Sequence, residues 1–432
     1  MTPLWRSEAL DSDDDVEILN YGRLAEERAL HHAARGGQPD FVFRPTNVVK
    51  GTAQREIGDA LIWTGERMLV VSVKSRDPAR KGLDAEARAR SWLDKKIAAA
   101  CRQIDGTVRT LRGDSADVTL TNLRGVSIPW DASQVREWLG AVVIDYTPPP
   151  SYVPNPTCSQ VPAVVLHADD WRVINETLWS STLTIGYVNT RRQLPPVPMG
   201  AELDLLGHVL EAEQQLRPIA LPGGQPQPGK WQEVRLRWPD FAMRSHPDSQ
   251  YALLLDAIMG AMAEASLEPS AALHPLEYVG LVRLLDEIPL LERVEMGREC
   301  LDRCKRAAST KSRVSYLSWP TRGRLGLQIL FVADSASREE RKGVLAVQAM
   351  TRHAELLAAT DNASLTTLGI ATEPFPASGG SHDFALLAGD IGLSQASLDA
   401  GEAMFPKPQF PAEVLDNIRS LGDGTMGLMD SS

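Results

Sequence analysis

The chain has 432 residues, 43% of them hydrophobic and 23% charged, a balance that excludes a disordered segment and a disulfide-stapled mini-protein. At ~100–200 residues per domain, two to four domains are expected. Its 45 Lys and Arg against 56 Asp and Glu give a net charge of −11, which excludes a surface coated with basic residues for non-specific nucleic-acid binding, though not a local basic site.

Four cysteines (Cys101, Cys158, Cys300, Cys304) are too few and too scattered for a disulfide framework. The acidic start lacks an apolar signal core, and no run reaches the ~18 apolar residues of a membrane helix. These features predict a cytoplasmic protein with no membrane partner.

Residues 1–18 read as an acidic arm. A first helix follows, with apolar residues at Leu24, Ala25, Ala29 and Ala33 and Gly36-Gly37 as its stop. From Arg55 the pattern changes to strands, EIGDALIW and MLVVSVK around a TGER turn. A helix is predicted from about Leu83, with Leu93, Ile97, Cys101, Ile104, Val108 and Leu111 on one stripe. GAVVID (140–145) suits a buried strand.

The six prolines of 146–162 predict a linker, and 163–432 a C-terminal α/β region of unknown role with a second break at 218–231. Within that region a strand, the helix REERKGVLAVQAMTRHAELLAAT and another strand form a βαβ unit with a parallel pairing. Asp169 or Asp170 is expected to cap the helix after His167.

The turn chemistry of 56–76 lets the register be read. With Gly65-Glu66 as a two-residue loop, Trp63 faces Met68, Leu61 faces Val70, and Asp59 lies opposite Ser72. Lys74 joins that face two positions on. An acid, a hydroxyl and an amine therefore converge at one end of an apolar hairpin.

Asp59 and Lys74 in this arrangement resemble the PD-(D/E)XK nuclease superfamily, in which an Asp on one strand is followed by a (D/E)-x-Lys tripeptide on the next. Here the tripeptide is Ser72-Val73-Lys74, so the second carboxylate is missing from its usual place. Some restriction enzymes of the superfamily show a similar Ser-x-Lys and take the second acid from the following helix. Glu86, 12 positions after Lys74, is that candidate.

Gly22-Arg-Leu-Ala-Glu26 resembles the entry helix of Mrr-like and NERD-type domains, which makes Glu26 a third acid. Gln103 resembles a glutamine common on the helix after the lysine. The resemblance covers 19–145. It implies a restriction-endonuclease-like mixed sheet flanked by helices, and a Mg²⁺- or Mn²⁺-dependent deoxyribonuclease, with other proteins of a bacterial restriction or anti-phage defence system as expected partners.

Under it Asp59, Glu86, Glu26 and the Val73 carbonyl hold metal, and Lys74 assists the attacking water. A catalytically inactive nuclease fold serving as a nucleic-acid-binding or scaffold subunit is the alternative.

Charge is segregated in a way that suits a strand of DNA or RNA. Residues 74–112 carry 11 basic against 5 acidic residues, including Arg76, Lys95, Lys96 and Arg102 beside Gln103. Residues 303–324 carry seven basic residues and no acid. There Lys311, Arg313, Arg322 and Arg324 interleave with Tyr316 and Trp319, a pattern for phosphates and stacked bases.

Overall fold

Short apolar runs bounded by turn residues alternate along the chain with long segments of helical periodicity, and the fold is α/β. In chain order the first elements are α1 (Tyr21–Gly36), β1 (Val42–Phe43), β2 (Asn47–Lys50), β3 (Ala53–Glu56), β4 (Ala60–Trp63), β5 (Arg67–Ser75), α2 (Glu86–Arg112), β6 (Thr119–Thr121), β7 (Ser127–Pro129), β8 (Glu137–Asp145) and β9 (Ala163–His167). Next come α3 (Ala168–Leu178), α4 (Ser181–Arg191), α5 (Glu202–Gln214), α6 (Lys230–Arg235), α7 (Ser249–Leu267), α8 (Pro275–Asp286) and α9 (Leu290–Ser309). The last are β10 (Val314–Pro320), β11 (Leu325–Val332), α10 (Arg338–Thr360), β12 (Thr366–Thr372), β13 (Asp383–Ala388) and α11 (Gln395–Met404).

This computed structural model describes residues 21–44, 47–50, 53–56, 58–76, 86–113, 118–147, 152–214, 219–235, 249–267, 275–309, 314–320, 325–332, 338–360, 365–372, 383–388 and 395–404. It divides into two units, one of residues 2–246 with 265–286 and the other of 247–264 with 287–432.

The first unit is built on a sheet of order β1-β4-β5-β8-β9. β1, β4 and β5 pair antiparallel, whereas β5, β8 and β9 are parallel. The parallel strands are near-continuous apolar runs, as expected of strands covered on both faces. Ser72 and Lys74 bond Gln103 of α2, while Val73 between them lines a cavity with Ala25 and Ala29 of α1 and Trp171 of α3. Successive strand residues point to opposite faces, so α2 covers one face and α1 with α3 the other.

Gly36 shows how closely α1 and α3 approach. It closes α1 as expected, and a Cβ there would lie 2.3 Å from the backbone carbon of Asn175. Gly36→Ala is therefore expected to destabilise the protein by about 2–3 kcal/mol, measured as a shift in urea midpoint.

The proline-rich segment is not the domain linker expected from its composition. β9, directly after it, adds to the same sheet through pairs from Gly140↔Ala163 to Ile144↔His167. Residues 152–162 stay with the first unit, with Val161 buried. Proline removes ladder hydrogen bonds but leaves a segment free to lie against a folded surface.

The helix cap also differs from expectation. His167, not Asp169 or Asp170, caps α3, with Nδ1 accepting the Asp169 amide at 3.2 Å. Its Nε2 therefore carries the proton given to the Tyr146 carbonyl at 3.1 Å.

In the second unit a sheet of order β10-β11-β12-β13 contains the expected βαβ unit, with β11 and β12 parallel and joined by α10. No helix among the described residues is long and apolar enough to cross a membrane.

Candidate active site

The β4–β5 hairpin adopts the register read from its turn. Ala60↔Val71, Leu61↔Val70, Ile62↔Leu69 and Trp63↔Met68 are partners, Gly65 takes φ +86°, and the Thr64 amide bonds the Arg67 carbonyl at 3.0 Å. Asp59 continues the ladder through its amide to the Val71 carbonyl at 3.2 Å. This puts its carboxylate level with Ser72 on the face under α2.

Gln103 then joins the two strands from above. Its Nε2 donates to Asp59 Oδ1 at 2.6 Å, and its Oε1 accepts from Ser72 Oγ at 3.0 Å and from Lys74 Nζ at 2.8 Å. Asp59 Oδ2 accepts from the Val73 amide at 2.5 Å and from Ser72 Oγ at 3.1 Å. Lys74 Nζ also donates to the Val73 carbonyl at 2.8 Å and stands 3.5 Å from Asp59 Oδ2.

The side chains of Asp59 and Lys74 are 7% and 18% exposed, so the pair is desolvated yet open at the lysine. Asp59, Val73, Lys74 and Gln103, read from three separate elements, form one connected network.

Glu86 does not belong to it. It opens α2, and Gln103, the residue over Lys74, lies 17 positions further along. At 1.5 Å per residue that is about 25 Å of helix axis, beyond the reach of any side chain. The start of α2 therefore does not supply the second acid expected beside Asp59 and Lys74.

Glu26 lies on α1. Ala25 and Ala29 turn toward Val73, and Arg28 reaches Asp145 on β8 at 2.9 Å. Glu26 lies about 200° around the helix from Arg28, on the other side of the Ala25/Ala29 stripe. Its helix covers the face of the sheet opposite α2, so it would meet the Asp59 network only past the end of the strands. Its neighbour Glu27 pairs instead with Arg44 at 3.0 Å.

On that side of the sheet a cavity of about 140 Å³ is lined by Arg28, His32, His167 and Arg172. Burial, and then the charges of His31 and Arg172, push His32 down to about 4, so it stays neutral.

Of the basic residues singled out, Arg76 stacks on Tyr146 at 4.8 Å and Lys96 lies over Trp92 at 6.0 Å, while the two rings are 5.5 Å apart. Lys96, Trp92, Tyr146 and Arg76 thus make a half-buried row next to Lys74. Lys95 and Arg102 are exposed on α2. Trp92 and Tyr146 were not anticipated, although the Trp92–Lys96 spacing of four on a helix was a readable signal.

Lys311, Arg313, Arg322 and Arg324 lie outside the described residues. Positions 316 and 319 fall within β10, an edge strand.

Among the described residues no group of three or more His, Cys, Asp or Glu is placed to hold a metal ion. The donors around Asp59 are all oxygen, from a carboxylate, a carbonyl, an amide and a hydroxyl. Such a set suits Mg²⁺, which takes one or two carboxylates and completes its shell with water and substrate phosphate. Compared with known protein families, curated proteins and solved structures, the chain has no match.

Proposed function

We propose that residues 21–145 form a nuclease-like module of the PD-(D/E)XK kind that hydrolyses DNA phosphodiester bonds with Mg²⁺. The observation that carries this reading is the convergence of Asp59, just before β4, and Lys74 of β5 on Gln103 of α2 through hydrogen bonds of 2.6 and 2.8 Å.

Asp59 and the Val73 carbonyl are the residues that would hold the ion, with Glu26 coming round the strand ends from the α1 face as the further acid; the ion when bound would supply Lewis-acid activation of the scissile phosphate. Lys74, on the open side of the network, orients the attacking water and offsets charge in the transition state. Gln103 sets the positions of both Asp59 and Lys74. The row from Arg76 to Lys96 offers cations for phosphates and rings for bases along the same end of the sheet.

A second reading, a catalytically silent fold that binds nucleic acid, is favoured by one observation. Lys74 cancels the charge of Asp59, and both carboxylate oxygens already accept hydrogen bonds. Cleavage of plasmid and single-stranded DNA with Mg²⁺ or Mn²⁺ decides between the two.

Asp59→Asn and Lys74→Ala are expected to lower cleavage by about 10²-fold or more, and Glu26→Gln to lower it as well. Glu86→Gln should leave it unchanged. Cleavage equal in wild type, Asp59→Asn and Lys74→Ala would overturn the assignment, and DNA binding without cleavage would establish the silent reading.

A further inference from the structure

Positions 94, 101 and 105 of α2 are seven and four residues apart and so share one stripe. The stripe holds the proline-rich segment. Asp94 accepts from the Tyr152 hydroxyl. One turn beyond Cys101, Asp105 accepts the amides of Ser159 at 2.9 Å and Gln160 at 2.8 Å, and the Ser159 hydroxyl at 2.8 Å.

Between these two clamps Cys158, the residue before Ser159, is brought beside Cys101, one turn before Asp105, and each thiol shifts the acidity of the other. Cys101 is 2% exposed and Cys158 is half-buried. Pro154 and Pro156 restrict the backbone that carries Cys158. The two cysteines are thus held side by side, Cys158 partly open to solution.

We infer that Cys101 and Cys158 are a modification site, forming an intrachain disulfide that ties α2 to residues 152–162 when the protein meets a disulfide oxidant. Interaction with Cys158 holds the Cys101 thiol below the ordinary thiol range, while the same interaction, then burial and the Cys101 charge, push Cys158 above it.

With oxidised glutathione, one thiolate of the pair attacks a glutathione sulfur, the glutathione S–S bond breaks, and a glutathione thiolate leaves. That thiolate takes up the proton of the second thiol. The second thiolate then attacks the protein sulfur of the mixed disulfide and expels the other glutathione. Two protein thiols lose two electrons and one oxidised glutathione becomes two reduced ones. Gln103 lies between Cys101 and Asp105, so the bridge also restrains the helical turn that serves the Asp59 network.

The test treats the full chain with oxidised glutathione, blocks free thiols with a maleimide after denaturation, and maps the peptides by mass spectrometry. Of four cysteines, two are expected to be lost to the maleimide, with a Cys101–Cys158 cross-linked peptide that dithiothreitol abolishes. Cys158→Ser should keep its three remaining cysteines free under the same treatment.

Cys300, fully buried in the other unit, is the internal reference. The inference fails if all four cysteines stay free. It fails equally if glutathione accumulates on Cys158 without a cross-link, or if the bridge involves Cys300 or Cys304.

Discussion

Replacing Asp59 with alanine is expected to destabilise the first unit by about 2–4 kcal/mol, because it strands the Val73 amide, the Gln103 amide and the Lys74 ammonium together. All three now point at one carboxylate, at 2.5, 2.6 and 3.5 Å. Chemical denaturation measures the loss. Adding Lys74→Met to Asp59→Ala should recover part of it, since the stranded charge goes with the lysine. A loss under about 0.5 kcal/mol for the single change would show that the network does not hold the hairpin end to α2.

The readable part of this site was local. The register followed from a two-residue turn and strand period, and both act over a dozen residues. Gln103 followed from the resemblance and sits over the strand end.

Glu86 went astray because its position depends on how far α2 slides along the sheet. That is set by packing of Leu93, Ile97 and Ile104, all buried, and not by helical phase. Phase alone places Glu86 on the correct stripe; it says nothing of the height along the axis. The proline-rich segment failed in another way, since its composition forbids regular hydrogen bonding but is silent about the carboxylates of α2 that hold it.

The second large effect concerns Asp170, in the first turn of α3. It is 3% exposed, and its Oδ2 is buried with no hydrogen-bond partner. Burial first, then the charges of Glu202 and Asp169, raise it from the ordinary 3.8 to about 7, against the amides of Gly200 and His167, which favour the ion. Around it Glu202 pairs with Arg191 at 2.7 Å and accepts the Tyr187 hydroxyl at 2.7 Å.

A carboxyl with a raised folded pKa contributes stability that is complete below 3.8 and is lost as pH rises to about 7. The loss amounts to at most about 4 kcal/mol. The neutral histidines oppose this slope. His32 at about 4, and His208, lowered by burial and Lys230, make the fold more stable as pH rises toward 6.5.

The informative quantity is therefore the difference between wild type and Asp170→Asn at each pH. Asp170→Asn is expected to gain on wild type from about pH 4 to 7 in thermal melting and then to hold that gain at higher pH, and parallel curves across this range would refute the role given to Asp170.

The continuation of the sheet into β9 and α3 bears on how the protein can be divided. A fragment ending at residue 145 would match the nuclease-like segment by sequence, yet it would bare β8 as an unpaired edge. It would also remove Trp171, whose indole nitrogen bonds the Ala29 carbonyl at 3.0 Å, and with it the partner that α1 needs. The smallest piece that keeps Glu26 and Lys74 in place therefore extends past the end of α3.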